Sequence, residues 1–216
     1  MNKTKDIAIY GAGGFGREIA CLIKLINGGN PRWNIIGFFD DGLEKGTENE
    51  YGKVLGNYED LNTWPTPLDV VIAVGAPDSV QTIVHRIDNP NVSYPNIIAP
   101  TTIFLDINNV RFGKGNIICS NSSISCNVEF GDFNLLNGYI SVGHDSTIGN
   151  CNVFMPSVNI SGGVKIGNCN FFGLKSSVLQ YQKVENDVRI GAGAFIMRTA
   201  KSGNLYMGNP ATKVRF

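Results

Sequence analysis

Residues 130–172 read FGDFNLLNGYISVGHDSTIGNCNVFMPSVNISGGVKIGNCNFF, and this stretch decides the fold. A period of six matches neither an α-helix nor a plain strand. It is typical of the hexapeptide β-helix, in which each unit supplies a short strand, one inward side chain and a turn. Three units close a triangular coil of 18 residues, so this repeat predicts about five coils stacked at roughly 4.8 Å. The repeat is carried by fifteen consecutive apolar positions: Phe112, Ile118, Ile124, Phe130, Leu136, Val142, Ile148, Phe154, Ile160, Ile166, Phe172, Val178, Val184, Ile190 and Ile196.

The 18-residue period of a coil has an independent signature in the polar residues. Cys151 and Cys169 are 18 residues apart, so we expect them to be neighbours in one column of the stack. We interpret them as reduced packing residues, because the chain has five cysteines, an odd number, and no CxxC motif. Asparagines at the same spacing predict a ladder with hydrogen bonds along the stacking direction. They are Asn116, Asn134, Asn152 and Asn170.

Composition excludes several classes of function. The 216 residues include 18 basic and 18 acidic side chains, and this balance argues against a nucleic-acid partner. No apolar run approaches the roughly 20 residues of a membrane helix, and no signal-peptide core precedes the first glycine cluster. We therefore expect a cytoplasmic protein without membrane insertion. Two histidines rule out a site with three histidine ligands, and we expect no metal.

The N-terminal part is predicted to be a small α/β domain. Predicted strands at Asp6–Tyr10, Ile35–Phe39 and Asp69–Val74 and helices at Arg17–Ile26 and near Ser79–Arg86 follow the order strand, helix, strand, strand, helix, which favours a parallel, Rossmann-like sheet. We expect residues 42–53 to form a mobile surface loop. Prolines 95 and 100 indicate a boundary, so we divide the chain into residues 1–98 and 99–216.

A glycine-rich turn joins the first strand to the first helix. It matches the G-x-G-x-x-G fingerprint, in which glycines let the backbone approach a pyrophosphate at a helix N-terminus. The bound diphosphate would belong either to NAD or to a nucleotide-sugar. In a nucleotide-sugar, an acidic pair would accept hydrogen bonds from the hydroxyl groups. The alternative is a tight turn that binds no ligand. The candidate substrate-binding residues are Gly11, Gly13, Gly14, Phe15, Asp40 and Asp41.

After the repeat, the chain ends in a Gly208–Ala211 segment reading GNPA. With this signature, the β-helix and the glycine-rich α/β domain, the whole chain resembles one family of hexapeptide-repeat acyltransferases. These are the sialic-acid O-acetyltransferases and the nucleotide-4-amino-sugar N-acetyltransferases. The resemblance implies a left-handed β-helix and a homotrimer. It also implies a nucleotide-sugar on the N-terminal domain and acetyl-CoA along the β-helix between adjacent subunits.

His144 is the only histidine of the repeat region, in the segment SVGHD. Acyl transfer from a thioester requires a base near neutral pH, and histidine suits that role. The resemblance places the catalytic base at a matching His-Asp pair, so Asp145 would hold the ring tautomer. Because Gly162 lies 18 residues after His144, we expect a slot without side chains above the histidine, which would admit the acetyl thioester. The Gly162 amide is then a candidate oxyanion donor.

Further site residues follow from the resemblance alone. Asn137 matches a position near the substrate amine. Lys175 or Lys201 would pair with phosphate. Val153 departs from the family, since many relatives carry a second histidine there, and this leaves acetyl-CoA affinity and the acyl group open. Candidate contacts with acetyl-CoA are Gly173, Leu174, Gly191 and Ala192.

The predicted function is an acetyl-CoA-dependent N-acetyltransferase acting on a nucleotide-linked 4-amino-4,6-dideoxy sugar for bacterial surface glycans. The alternative is a sugar O-acetyltransferase of the sialic-acid type, because either nucleophile needs the same base. An NAD-dependent oxidoreductase leaves the β-helix unexplained, and a non-catalytic scaffold would tolerate loss of His144.

Overall fold

The computed structural model of the protein describes residues 4–214, which form two compact units. The first unit comprises residues 4–75 and Ser79–Ile97, and the second comprises Ala76–Asp78 and residues 98–214. The division into a nucleotide-sugar-binding domain, residues 1–98, and an acyltransferase domain, residues 99–216, stays a prediction.

The first unit is built on a six-stranded sheet. Its elements are β1 (Lys5–Tyr10), α1 (Gly14–Gly29), β2 (Trp33–Phe39), β3 (Glu48–Asn49), β4 (Gly52–Gly56), α2 (Tyr58–Asn62), β5 (Leu68–Ile72), α3 (Pro77–Arg86) and β6 (Val92–Ser93). The strand order is β3-β4-β2-β1-β5-β6, and every neighbouring pair is parallel except β3 and β4. The strands β1 and β5 pair with each other, and residues Ile7–Tyr10 of β1 and all of β5 are buried, as is typical of a parallel sheet.

The segment 42–53 corrects one expectation. It is not a plain loop, because it contains β3 and the start of β4, which pair as an antiparallel hairpin. The short helix α2 was also not predicted. Its first turn is held by a capping box in which the Asn57 side chain accepts from the Asp60 amide and Asp60 accepts from the Asn57 amide.

The second unit is a parallel β-helix. Its elements in chain order are β7 (Ile97–Ile98), β8 (Ile103–Phe104), a 3-10 turn (Ile107–Asn109), β9 (Val110–Phe112), β10 (Ile117–Ile118), β11 (Ser123–Ile124), β12 (Val128–Phe130), β13 (Leu135–Leu136), β14 (Ser141–Val142), β15 (Thr147–Ile148), β16 (Val153–Phe154), β17 (Asn159–Ile160), β18 (Lys165–Ile166), β19 (Phe171–Phe172), β20 (Ser177–Val178), β21 (Lys183–Val184), β22 (Arg189–Ile190), β23 (Phe195–Ile196), β24 (Leu205–Met207) and β25 (Thr212–Lys213). The strands form three sheets: from β7 to β23 each sheet takes every third strand, and β24 and the antiparallel β25 extend the first sheet.

The six-residue repeat is confirmed strand by strand. Each of the fifteen apolar positions lies in one of the strands β9 to β23, and all are buried except Phe112, which is half-buried. Stacked rings fill part of the interior, with Phe154 and Phe172 at 4.4 Å between centroids. The core is therefore a column of apolar side chains enclosed by three sheets.

The corners of the coils are made by residues in the left-handed conformation. They recur every six residues, and most are not glycine: φ lies between 54° and 65° at eleven positions from Asn121 to Asp187. This conformation is unfavourable for most L-residues. It is stabilised here because the corner amide bonds to the preceding coil, as when Cys151 donates to the Asp132 carbonyl at 2.9 Å.

The predicted asparagine ladder is confirmed. The Asn134 amide donates to Asn116 Oδ1 at 3.0 Å, and Asn152 and Asn170 repeat the contact at 2.9 Å. These side chains are buried, so each bond satisfies polar groups that water does not reach. Cys151 and Cys169 lie beside the ladder as free thiols. Burial raises the pKa of Cys151 to about 12 and also raises that of Cys169.

Candidate active site

His144 and Asp145 lie at the corner that follows β14. Consecutive residues on a regular strand point to opposite faces. Asp145 escapes this alternation because it has a left-handed backbone with φ of 57°. Its side chain therefore turns to the same side as His144, and the histidine Nδ1 lies 2.7 Å from Asp145 Oδ2. The pairing predicted from the sequence is present.

This pair defines the protonation of the ring. The hydrogen bond from His144 is the largest cause that lowers the pKa of Asp145, and the Asn127 amide lowers it further. The carboxylate is therefore an acceptor, and Nδ1 carries the hydrogen. In a neutral imidazole the lone pair is then on Nε2, the atom that takes a proton in general base catalysis. The two side chains are 46% and 57% exposed, so substrate has access to them.

Gly162 lies directly against the imidazole. A Cβ atom on Gly162 would stand 2.5 Å from His144 Nε2 and 2.7 Å from Cε1, well inside contact distance. The slot that we expected above the histidine is therefore not open, because the ring itself fills it. The physical reason is that the His144 side chain leans toward the following coil instead of outward.

The backbone does not require glycine at position 162. Equivalent corner positions in other coils hold Cys126, His144, Gln180 and Arg198, as the strand register shows. A side chain at position 162 is therefore excluded by the His144 ring and not by the conformation of the backbone. Within residues 4–214 its N–H has no hydrogen-bond partner. Its role as an oxyanion donor stays a prediction.

Two residues of this corner were missed as functional candidates. Asn127 lies one coil below Asp145 and donates from Nδ2 to Asp145 Oδ1 at 3.0 Å. Tyr181 lies one coil above Gly163, and its ring covers that glycine, where a Cβ would meet Cδ1 at 2.3 Å. The 18-residue spacing was a sufficient signal for both neighbours.

The other candidate residues of the β-helix occupy a second corner. Asn137 follows β13 and donates its backbone N–H to the Phe154 carbonyl at 2.9 Å. Asn137 and His144 therefore lie at opposite ends of the short strand β14. The four candidate acetyl-CoA contacts stack on the Asn137 corner, two and three coils further on. They are Gly173, Leu174, Gly191 and Ala192.

This second corner has the close backbone packing that glycines allow. A Cβ on Gly173 would meet the Ala192 amide nitrogen at 2.6 Å. Leu174 is 45% exposed beside it. Lys175 shares the corner, in the left-handed conformation. Lys201 instead pairs with Glu185 at 3.0 Å, which makes it the weaker phosphate candidate.

Val153 is a packing residue. It is 1% exposed and aligns with Leu135 and Phe171 in the neighbouring coils. The chain therefore has a continuous apolar column at this position, which the resemblance associates with a second histidine. The effect on acetyl-CoA affinity stays a prediction.

The glycine-rich turn in the first unit divides into two kinds of position. Gly11 has φ of 107°, and a Cβ there would lie 2.8 Å from the Ala73 carbonyl oxygen. Gly16 packs so closely on Gly11 that no side chain fits. Gly13 and Gly14 have no atom near a Cβ position; Gly14 and Phe15 begin α1. The first two are explained by packing, whereas Gly13 and Gly14 leave open space at a helix N-terminus.

The acidic pair after β2 is already hydrogen-bonded within the protein. Asp40 accepts from the Ala12 amide at 2.8 Å and thereby fixes the glycine-rich turn. Asp41 accepts from the Tyr10 hydroxyl at 2.6 Å and pairs with Arg86 at 3.3 Å. Burial and this hydrogen bond raise the pKa of Tyr10. These contacts favour a structural role for Asp41, and its bonding to sugar hydroxyls stays a prediction.

Two properties bear on cofactors and membranes. Within residues 4–214, no group of three or more His, Cys, Asp and Glu side chains is placed to hold a metal ion. No helix in the same range has both the length and the apolar composition to cross a bilayer.

Comparison with known proteins gives one family match. Residues 6–87 match the model of the PglD N-terminal domain. No curated protein matches the chain significantly.

Several solved structures are similar over the whole chain. The acetyltransferase domain of PglB from Neisseria gonorrhoeae, in complex with acetyl coenzyme A, has 25% identity and a TM-score of 0.88 over 98% of this chain and 100% of that one. WeeI from Acinetobacter baumannii has 26% identity and a TM-score of 0.86, with the same coverage. A variant of perosamine N-acetyltransferase from Caulobacter crescentus, in complex with CoA and GDP-perosamine, shares the fold at 20% identity, with a TM-score of 0.86 over 99% of both chains.

These matches confirm the fold class, a small N-terminal α/β Rossmann-like domain followed by a left-handed parallel β-helix. They also confirm the resemblance to hexapeptide-repeat sugar acetyltransferases. The enzyme class that follows is acyltransferase.

Proposed function

We propose that the protein transfers an acetyl group from acetyl-CoA to the amine of a nucleotide-linked 4-amino-4,6-dideoxy sugar, a reaction of bacterial surface glycan biosynthesis. The observation that carries the proposal is the His144–Asp145 pair, whose Nε2 lone pair faces the side-chain-free Gly162. The likeness to PglB and WeeI supports the same class of reaction.

His144 acts as the general base. Nε2 takes the proton from the attacking amine, and the ionised Asp145 stabilises the imidazolium that forms. The Gly162 N–H donates to the oxyanion of the tetrahedral intermediate, for which a backbone amide without another partner is suited. His144 then returns the proton as the thiolate of CoA leaves.

The residues of the second corner fit a pantetheine chain. Gly173 and Gly191 keep that surface free of side chains, and the exposed Leu174 offers an apolar contact. Lys175 is the better candidate for a phosphate of acetyl-CoA because Lys201 already has an acidic partner. When bound, acetyl-CoA supplies the activated acyl group, and these residues orient it.

The first unit binds the nucleotide-sugar in this proposal. The diphosphate contacts the open amides at Gly13 and Gly14, where the α1 dipole favours negative charge and no acidic residue occupies the first turn. Perosamine N-acetyltransferase, which shares the fold, was solved with a GDP-linked amino sugar. We further propose a cytoplasmic homotrimer, because an activated nucleotide-sugar and acetyl-CoA are cytoplasmic metabolites and the resemblance implies trimers.

A mass-spectrometric assay tests the proposal. The protein is incubated with acetyl-CoA and a panel of UDP-, dTDP- and GDP-linked 4-amino sugars, beside a His144→Ala control. Product mass is preferable to thiol dyes, because the chain carries five cysteines. The expected result is an acetyl mass gain on one or more amines that the control loses. A gain only on sugar hydroxyls would support the O-acetyltransferase instead, and a gain that survives the substitution would contradict the role of His144.

A further inference from the structure

Asn127 holds the carboxylate of the His144–Asp145 pair from below. It lies one coil before Asp145, and its Nδ2 donates to Asp145 Oδ1 at 3.0 Å, whereas His144 bonds the other oxygen, Oδ2, at 2.7 Å. Both carboxylate oxygens are thus engaged by different partners. We propose that Asn127 is a positioning residue that acts on His144 through Asp145, an inference that rests on the proposed function.

The need for such a residue follows from the exposure of the pair. The Asp145 side chain is 57% exposed, so packing restrains its torsions less than those of a buried side chain. Its backbone is fixed independently, because its N–H bonds to the Cys126 carbonyl at 3.1 Å. What remains free is the orientation of the carboxylate, and Asn127 restrains that orientation by occupying Oδ1. The result is that Oδ2 faces Nδ1 and the Nε2 lone pair stays directed toward Gly162.

The register of the β-helix makes this contact possible. Asn127 and Asp145 have nearly the same left-handed backbone, with φ of 55° and 57°. Two corner side chains in register are one strand spacing apart, a distance that an asparagine and an aspartate bridge with one hydrogen bond. Asparagine also tolerates this conformation better than most residues. One residue therefore both forms the corner and supplies the donor.

Glycine substitution gives a matched test. Asn127→Gly removes the amide without adding backbone strain, since glycine adopts positive φ freely. Asp187→Gly is the control: Asp187 has the same left-handed backbone, with φ of 57°, but lies at the third corner, next to Val188 at the end of the asparagine ladder. The chain has two histidines, so nitrogen-15 NMR resolves the ring tautomer of His144, and His85, whose Nδ1 contacts the Gln81 carbonyl at 2.8 Å, serves as the internal reference.

Two readouts must move together. We expect Asn127→Gly to lower the fraction of neutral His144 that carries its hydrogen on Nδ1. We also expect kcat to fall about tenfold, which is part of the roughly 10²–10⁴-fold rate enhancement that a positioned base contributes. The KM for acetyl-CoA and the His85 signals should stay as in the wild type, and Asp187→Gly should change neither the tautomer of His144 nor kcat. An unchanged tautomer, or an unchanged kcat, in Asn127→Gly would overturn the inference.

The outcomes separate this inference from the proposed function. The tautomer is measured without turnover, so it reports on Asn127 even if no sugar in the panel is acetylated. Loss of acetylation in His144→Ala together with a wild-type tautomer and kcat in Asn127→Gly would leave the proposed function standing and overturn the positioning role. Acetylation that survives in His144→Ala would contradict the proposed function.

Discussion

Gly162→Ala is the smallest change that tests the geometry of the histidine. The new Cβ would stand 2.5 Å from His144 Nε2, whereas ordinary contacts begin near 3.4 Å. The backbone accepts alanine, because equivalent corners carry cysteine, histidine, glutamine and arginine. The ring must therefore move by roughly 1 Å, and a displacement of this size in a catalytic group costs about 10²-fold in rate. We expect kcat to fall by that factor, about 2.7 kcal/mol of transition-state stabilisation.

Stability should change little, since the half-exposed ring relocates toward solvent. A strained rotamer costs about 1 kcal/mol, which lowers Tm by roughly 2–4 °C in a protein of this size. The assay is product mass per time at saturating acetyl-CoA, with Tm measured on the same preparations. If the clash is with the ring, the Tm cost of Gly162→Ala should vanish in a His144→Ala background.

Two results would refute this reasoning. One is a kcat for Gly162→Ala near that of the wild type, which would mean that the ring position does not matter for turnover. The other is a Tm cost that persists without His144. That result would place the conflict at a group other than the imidazole ring.

Three other predictions concern stability and reactivity. Asn152→Ala should lower the free energy of unfolding by about 3 kcal/mol in urea titration, because it leaves buried ladder partners unsatisfied, whereas the exposed Asn159→Ala should cost less than about 0.5 kcal/mol. Asp60→Asn should lower Tm at neutral pH, because Lys45 and the Asn57 amide stabilise the Asp60 carboxylate and lower its pKa. The difference in Tm between the variant and the wild type should be complete above pH 3.8, the ordinary pKa of an aspartate, and should shrink as the pH falls through the lowered pKa of Asp60. Cys151 should resist a thiol reagent at pH 7.5 until the protein unfolds, because burial raises its pKa to about 12, and labelling in the native state at the rate of the exposed Cys21 would contradict this.

The parts of the fold that the sequence predicts are those that repeat with a constant period. All fifteen strands from β9 to β23 were found because each places its apolar residue at a multiple of six. The ladder was found because its spacing equals one coil. In both cases the pattern depends on backbone register alone, which a strict period defines completely.

The ends of the β-helix show where this reasoning fails. Ile124 pairs with Phe104, 20 residues earlier, because the 3-10 turn Ile107–Asn109 adds two residues to that coil. Ile190 pairs with Tyr206, only 16 residues later. These changes in spacing interrupt the period, so β8 and β24 could not be predicted from it. The α2 helix was missed for a different reason: five residues are too few for a periodic pattern, and its capping box is the only local signal.

In the candidate site, the sequence predicts which residues are neighbours but not the direction of their side chains. The 18-residue arithmetic correctly made Gly162 a neighbour of His144, and the same spacing relates Asn127 to Asp145. It did not indicate that the ring leans toward Gly162, because the direction of a side chain depends on its hydrogen bonds. In this protein the left-handed corner turns Asp145 beside His144, and the carboxylate draws Nδ1 toward itself. Nε2 is then left facing Gly162, so the absence of a side chain at that position is what allows the imidazole to adopt the geometry of a base.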